Sequence, residues 1–413
     1  MTMAASHAAN KKLRDAIFGA TAACNKAAEQ YGRDKVVNAT IGMMMDDDGQ
    51  IAVLPTVEKV FRSLSAEDYF RYAPIAGVPD YLQEVEKLVF ADNRPEGFIA
   101  ACATAGGTGA IHHAVANYAE RGNKVLTSDW FWGTYNVICN ECGCKLVNYA
   151  LFDENNNFNI AAYANKVSEI YKEQDSLLVI INTPAHNPTG FSLTEEDWDH
   201  VLALAKKYAA RGKKMSILVD IAYIDFAGEQ NETRRFMKKF SNLPENVLIM
   251  VAFSMSKSYT TYGQRTGALL AVSSSEKVIT EFRDINKYSS RATWSNINRG
   301  AMLTLVKIQQ DEELRRQYEK ERENFYQTIR QRAQVFMTEA GECGLPALPY
   351  NGGFFLSVPA DDPQAVCNKL HDDLIFAVPL KAGVRIAACC VSEAKMHGVA
   401  EKVLKALQAV ENW

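Results

Sequence analysis

Three runs of the chain are apolar almost without interruption: Leu177 to Asn182, Ser216 to Val219 and Val247 to Phe253. A strand with one wet face alternates apolar and polar side chains, so a run without alternation has both faces covered. Helical patterns separate the runs, among them Glu195 to Arg211 with Trp198, Leu202 and Ala205 inward, and Lys124 to Ser128 reads as a further short strand. Strands and helices alternate in this way from about residue 100 to residue 270. The alternation predicts an α/β fold: a mainly parallel sheet with helices on both faces. Such sheets bind ligands beyond the carboxyl ends of their strands, so the residues after each run are where chemistry is expected.

After Phe253 comes Ser254-Met255-Ser256-Lys257-Ser258, then Gly263-Gln264-Arg265-Thr266-Gly267. A lone lysine past a buried strand is ordinarily a solvated loop residue. Here serines flank it, and an arginine follows eight residues on. Hydroxyls, an ammonium and a guanidinium together suit a phosphate held beside an amine. A cofactor with both a phosphate and an aldehyde meets that demand, because a desolvated lysine amine condenses with carbonyls. Thr104 to Ala110 adds a glycine-rich turn opening a helix, where backbone N–H groups can approach an anion. It is not a dinucleotide fingerprint, since the third glycine is misplaced and no acidic residue follows at the required distance. Asp220 ends a buried strand, where a carboxylate is costly unless paired. Trp130 and Trp132 follow another strand, and Asn187-Pro188-Thr189-Gly190 by itself reads as a turn.

Ser-x-Ser-Lys followed by Gly-x-Arg-x-Gly resembles the signature of the fold type I pyridoxal-phosphate aminotransferases, close to the aspartate/aromatic branch of class I/II. The resemblance extends over nearly the whole chain. It implies a large domain, residues 47–324, with a mainly parallel seven-stranded sheet sandwiched by helices. A smaller α/β domain would combine residues 1–46 with residues 325–413. The implied cofactor is pyridoxal 5'-phosphate, bound covalently by Lys257, with Asp220 paired to its ring nitrogen and Asn187 and Tyr223 bonded to its ring oxygen. Gly107, Thr108, Ser254 and Arg265 would take the phosphate, and Trp132, rather than Trp130, would stack on the ring. Tyr72 would reach the phosphate in a neighbouring subunit. For the substrate, Gly42 and Arg385 would meet the α-carboxylate, beside Trp132 and Asn187. Arg291, read as following a helix from Ser275 to Ser290, would cross a homodimer with shared active sites to bind a side-chain carboxylate. Thr40 stands where relatives often carry glycine, so the backbone before Gly42 is expected to differ locally.

The activity so implied moves an amino group between an L-amino acid (aspartate, glutamate or aromatic) and a 2-oxo acid in ping-pong order, with Lys257 as the proton carrier. One alternative is a C–S lyase or other lyase on the same fold. A non-catalytic pyridoxal-phosphate-binding regulator, expected to carry a DNA-binding segment ahead of the fold, is the weaker one.

Net charge of -4 argues against a general nucleic-acid or membrane surface. Met1 to Arg14 lacks the apolar core of a signal peptide, and no run approaches the roughly 20 apolar residues of a membrane span. Nine cysteines, several in apolar or helical contexts, suit a reducing cytoplasm. Cys139, Cys142 and Cys144 lack a second ligand pair at zinc-site spacing, and neighbouring His112 and His113 point apart on a helix, so no metal is expected. Four further helices are expected: residues 11–31 with Leu13, Ile17, Ala20 and Cys24 on one face, residues 55–65, Ile297 to Gly341 capped by that glycine, and Ser392 to Val410.

Overall fold

Seven strands hydrogen-bond into one sheet in the computed structural model of the protein, which describes residues 3–9, 11–13 and 16–411. Along the chain they are β1 (Phe98–Thr104), β2 (Lys124–Ser128), β3 (Lys145–Tyr149), β4 (Ser176–Asn182), β5 (Lys214–Asp220), β6 (Val247–Ser254) and β7 (Gly267–Ser273). Their order across the sheet is β1-β7-β6-β5-β4-β2-β3, and only β7 runs against its neighbours. The uninterrupted apolar runs thus become strands covered on both faces. In β4, Leu177, Val179 and Ile181 share a core with Trp198, Val201 and Leu202 of the helix Glu195–Ala209. Leu178 and Ile180 belong to the opposite core, with Ile111 and Ala114 of the helix Gly106–Tyr118 and Phe282 of the helix Glu276–Thr293. Each such side chain contributes about 1.5–3 kcal/mol on burial, so both faces hold the sheet together.

The antiparallel β7 positions the site. It pairs Gly267 with Ser254 on one side and with Thr104 on the other. A Cβ at Gly267 would collide with the Phe253 carbonyl oxygen and stand 2.8 Å from the Gly106 carbonyl carbon. Only glycine lets the turn after β6 and the helix start after β1 come this close.

A second core joins Ala333, Phe336 and Ala340 to Leu356, Val358, Val384, Ile386, Val403 and Leu407. Its small sheet orders Val378–Pro379, Gly383–Ala387 and Phe355–Pro359, all antiparallel, and Val37–Asn38 pairs in parallel with Ile375–Phe376 nearby. The helix Glu312–Cys343 runs between the cores, with Tyr318 in the first and Phe336 in the second.

Local expectations need several corrections. The first helix is Ala16–Tyr31, with Cys24 and Ala27 buried; Leu13 precedes it and is exposed, while residues 14 and 15 lie outside the described residues. Residues 55–65 shorten to Pro55–Arg62. The stretch from Ile297 is two helices, Arg299–Gln310 and Glu312–Cys343, because Asp311 accepts the N–H groups of Glu313 and Leu314 and caps a new start. Gly344, at φ 78°, ends the second; Gly341 lies inside it. The closing helix is broken at His397-Gly398 into Glu393–Met396 and Val399–Glu411. Arg291 does not follow a helix: it occupies the last turn of Glu276–Thr293.

Candidate active site

Four strand ends meet along one edge of the central sheet. Register sets Asn182 of β4 beside Asp220 of β5, and Asp220 beside Ala252 of β6. Thr104 of β1 and Ser254 of β6 flank Gly267. The side chains that follow enclose a cavity of about 270 Å³. Of the residues expected from sequence, Gly107, Thr108, Trp132, Asn187, Asp220, Tyr223, Ser254, Lys257 and Arg265 line it.

Lys257 stands in the short helix Met255–Ser258, whose first turn is fixed by Ser254 accepting the Ser256 N–H. Its Nζ donates to the Gly42 carbonyl at 2.8 Å and lies 4.9 Å from the centre of the Tyr262 ring. Burial pulls its pKa from 10.5 down to about 8; Arg265 and Arg385 add to that, while Cys389 and Asp220 oppose it. At pH 7.5 about a quarter of such a lysine is free amine, against about one part in a thousand for an ordinary one.

Asp220 is buried, and burial pushes its carboxyl above the usual range. Tyr135 donates to Oδ2 at 2.6 Å and the Ala222 N–H to Oδ1 at 3.1 Å, which together orient the carboxylate. No cationic side chain among the described residues forms an ion pair with it. Lys257 acts on it without pairing with it, so a buried carboxylate so arranged is matched to a closer cation than the chain itself supplies.

Arg265 adopts φ 51°, a left-handed backbone that costs a non-glycine residue on the order of 1 kcal/mol. That turn aims its guanidinium at the helix start: Nη1 donates to Ser256 Oγ at 3.0 Å and to the Tyr262 carbonyl at 3.0 Å, and Nη2 to Thr108 Oγ1 at 3.5 Å. A Cβ at Gly106 would lie 2.6 Å from Nη2. Guanidinium, hydroxyls and a helix N-terminus without side-chain bulk form an anion cradle.

Arg385, on the strand Gly383–Ala387, is buried with its guanidinium 4.2 Å from the centre of the Phe355 ring. Nη2 donates to the Thr40 carbonyl at 2.9 Å and Nη1 to Asn187 Oδ1 at 3.4 Å. Asn187 Nδ2 in turn reaches Tyr223 Oη at 3.5 Å. Gly42 is brought to the cavity through Lys257, and a Cβ there would meet the Phe355 ring at 2.9 Å. Thr40 uses its side chain on Asn38 Oδ1 at 2.7 Å and leaves its carbonyl to Arg385. Trp132 lines the cavity, while Trp130 is buried against Gly383.

Two expected residues lie elsewhere. Tyr72 is 86% exposed, and Arg291 is exposed with Nη1 donating to Ser295 Oγ at 2.6 Å. Cys139 is a core residue beside Ile138, and His113 stacks on Trp294 at 4.3 Å. Sequence reading missed Tyr135, Tyr262, Asn182 and Met43, which touch Asp220 or line the cavity. Only Tyr135 carried a signal, its place three residues after Trp132.

The donor set fits a group bearing a phosphate, an aldehyde and a cationic ring nitrogen: an anion cradle, a depressed amine and a carboxylate lacking a cation line one cavity. Comparison with known proteins agrees with that chemistry. Residues 34–403 match the family described as aminotransferase class I and II. The crystal structure of an aminotransferase from Anaerococcus prevotii DSM 20548 is 37% identical, with a TM-score of 0.96 over 98% of this chain and 100% of that one. Aspartate aminotransferase of Escherichia coli K12 is 27% identical over 330 residues, 77% of this chain and 79% of that protein. An aromatic-amino-acid aminotransferase from Burkholderia pseudomallei, covalently bound to pyridoxal phosphate, shares the fold at 22% identity, with a TM-score of 0.78 over 98% of this chain and 100% of that one.

Proposed function

Because this chain belongs to the class I and II aminotransferases, we propose that Lys257 is the residue on which its pyridoxal-phosphate-dependent transamination turns, with a dicarboxylic or aromatic L-amino acid and a 2-oxo acid as substrates. The carrying observation is the amine of Lys257, brought to about 8 by burial in the cavity that also holds Asp220 and the Arg265 cradle. When bound, pyridoxal phosphate supplies an aldehyde that exchanges amines and a ring that accepts the electron pair left by a departing proton. Gly107, Thr108, Ser254 and Arg265 would hold its phosphate, Trp132 would meet the ring, and Asn187 with Tyr223 would bind the ring oxygen. Asp220, kept in place by Tyr135, would hold a proton on the ring nitrogen. Arg385 clamps the substrate α-carboxylate, with Gly42 beside it. Lys257 would hold the cofactor at rest and, once the substrate amine has displaced it, would be the base that takes the substrate α-proton, one base serving one face.

Borohydride reduction of the holoenzyme followed by peptide mapping is expected to label Lys257. With the apoprotein, the rate of labelling by added pyridoxal phosphate should rise with pH through about 8 rather than 10.5, since only the free amine attacks. Label on another lysine would refute the assignment. A panel of amino donors and 2-oxo acids then reads the substrate directly.

Residues 47–324 are assigned to a large domain and residues 1–46 with 325–413 to a smaller one. The working unit is a homodimer in which Tyr72 and Arg291 complete the neighbour's site, a reading supported by their exposure in the single chain. Arg291→Ala and Lys257→Ala homodimers, unfolded and refolded together, should regain up to about a quarter of wild-type activity on a dicarboxylate donor, since each hybrid rebuilds one site. Exchange of subunits without regain would show that the sites are not shared. The cytoplasm is the proposed compartment, supported by nine free cysteines. Among the described residues no helix is long and apolar enough to cross a membrane.

A further inference from the structure

Two thiols outside the reaction lie directly behind the lysine and arginine of the site. Cys389 and Cys390 form the turn Ala388–Cys390, which follows the strand carrying Arg385. Cys390 Sγ donates to the Asn38 carbonyl at 3.0 Å, and Cys389 Sγ to the Ile41 carbonyl at 3.5 Å. The same segment gives its Thr40 carbonyl to Arg385 and its Gly42 carbonyl to Lys257. One strap, residues 38–42, is therefore held by both thiols and by both cationic residues of the site.

Cys390 also lines a separate cavity of about 190 Å³, shared with Cys24, Arg33 and Lys395, which gives a small solute room beside this thiol. The adjacent Cys389 side chain, then the Ile41 N–H and the guanidinium groups of Arg385 and Arg332, hold the Cys390 thiol below the usual range against the opposing effect of burial. Burial pushes Cys389 up, and Cys24 up to about 12. Thiolate is the nucleophilic form, so the three cysteines differ in reactivity.

We propose that Cys390 and Cys389 are a peroxide-sensitive pair whose oxidation to a vicinal disulfide loosens the Asn38–Gly42 strap and weakens amino-acid binding. The Cys390 thiolate attacks one peroxide oxygen and the O–O bond breaks. The hydroxide released takes up the proton lost by the thiol and becomes water. Cys389 sulfur then attacks the sulfenic sulfur, and the sulfenic oxygen leaves with the Cys389 proton as a second water. Two thiols lose two electrons, and hydrogen peroxide is reduced to two waters. The disulfide removes both S–H donors from the strap. Adjacent cysteines close a strained ring, so a dithiol reverses the change readily.

Holoenzyme titrated with hydrogen peroxide, alkylated and digested with trypsin yields both thiols in the peptide Ile386 to Lys395. That peptide is expected to lose two hydrogens at least about tenfold faster than Cys142 or Cys343 is oxidised. KM for the amino acid should rise with the oxidised fraction and return with dithiothreitol. In Cys389→Ser, dimedone should trap a sulfenic acid on Cys390. Earlier oxidation of Cys142 or Cys343, a Cys24–Cys390 crosslink, or a disulfide that leaves KM unmoved would each overturn the inference. Peptide mapping reads the thiols whatever the substrate; only the KM arm rests on the proposed reaction.

Discussion

Replacing Asp220 with alanine is expected to lower kcat/KM roughly a thousandfold while leaving a folded protein that still binds pyridoxal phosphate. The magnitude comes from one ion pair. A carboxylate at about 4 Å from a protonated ring nitrogen, at an effective dielectric of about 20, gains about 4 kcal/mol. That equals about three pKa units on the nitrogen, or about a thousandfold in rate where the protonated ring carries the developing charge. Binding should suffer less, because the proposed phosphate cradle around Arg265 and the proposed attachment to Lys257 do not involve Asp220. Asp220→Asn separates charge from shape: it keeps the Tyr135 and Ala222 contacts in outline but supplies no negative charge. Steady-state kinetics and the absorbance of the bound cofactor measure both variants. If the asparagine variant turned over like wild type, Asp220 would serve only to orient the ring, and the electrostatic account would fail.

The central sheet was legible because an uninterrupted apolar run has one stable setting, a strand covered on both faces. Val247 to Phe253 and Leu177 to Asn182 fell on β6 and β4, and the residues after them did enter one cavity. Helix ends were less legible. Gly341 and Gly344 are equivalent as letters, and only the backbone reveals that Gly344 takes the left-handed conformation. Asp311 reads as one more charge in a charged stretch until its carboxylate is seen to cap the next helix. The missing site residues share a different cause. Tyr135 meets Asp220 across 85 positions, and Tyr262 meets Met44 across 218. Nothing local marks Tyr262 for its contact, and Tyr135 is marked only by its place three residues after Trp132, because each partner is supplied by the topology. Thr40 is a further case: the letter alone does not say that its hydroxyl turns to Asn38 and its carbonyl goes to Arg385.

Arg291→Ala should divide the substrates. The arginine sits on a rigid end of its helix: Trp294, three residues on, stacks against His113, and a Cβ at Gly109 would stand 3.0 Å from the indole. Its guanidinium is exposed in the single chain, with Nη1 donating to Ser295 Oγ. A charge pair with a substrate carboxylate therefore becomes buried only where a second subunit covers it. Removing one partner of a buried pair costs about 2–5 kcal/mol, so kcat/KM for aspartate should fall by roughly 30-fold to several thousand-fold. Phenylalanine has no second carboxylate to lose its partner, and its kcat/KM should change little. Arg385→Ala is the contrast, because both substrates carry the α-carboxylate it is proposed to clamp, and both should suffer. The ratio of the two kcat/KM values, measured in one preparation, cancels any general loss of folded enzyme. A ratio unchanged from wild type would remove Arg291 from the specificity site, and with it the main reason for expecting a dicarboxylate substrate.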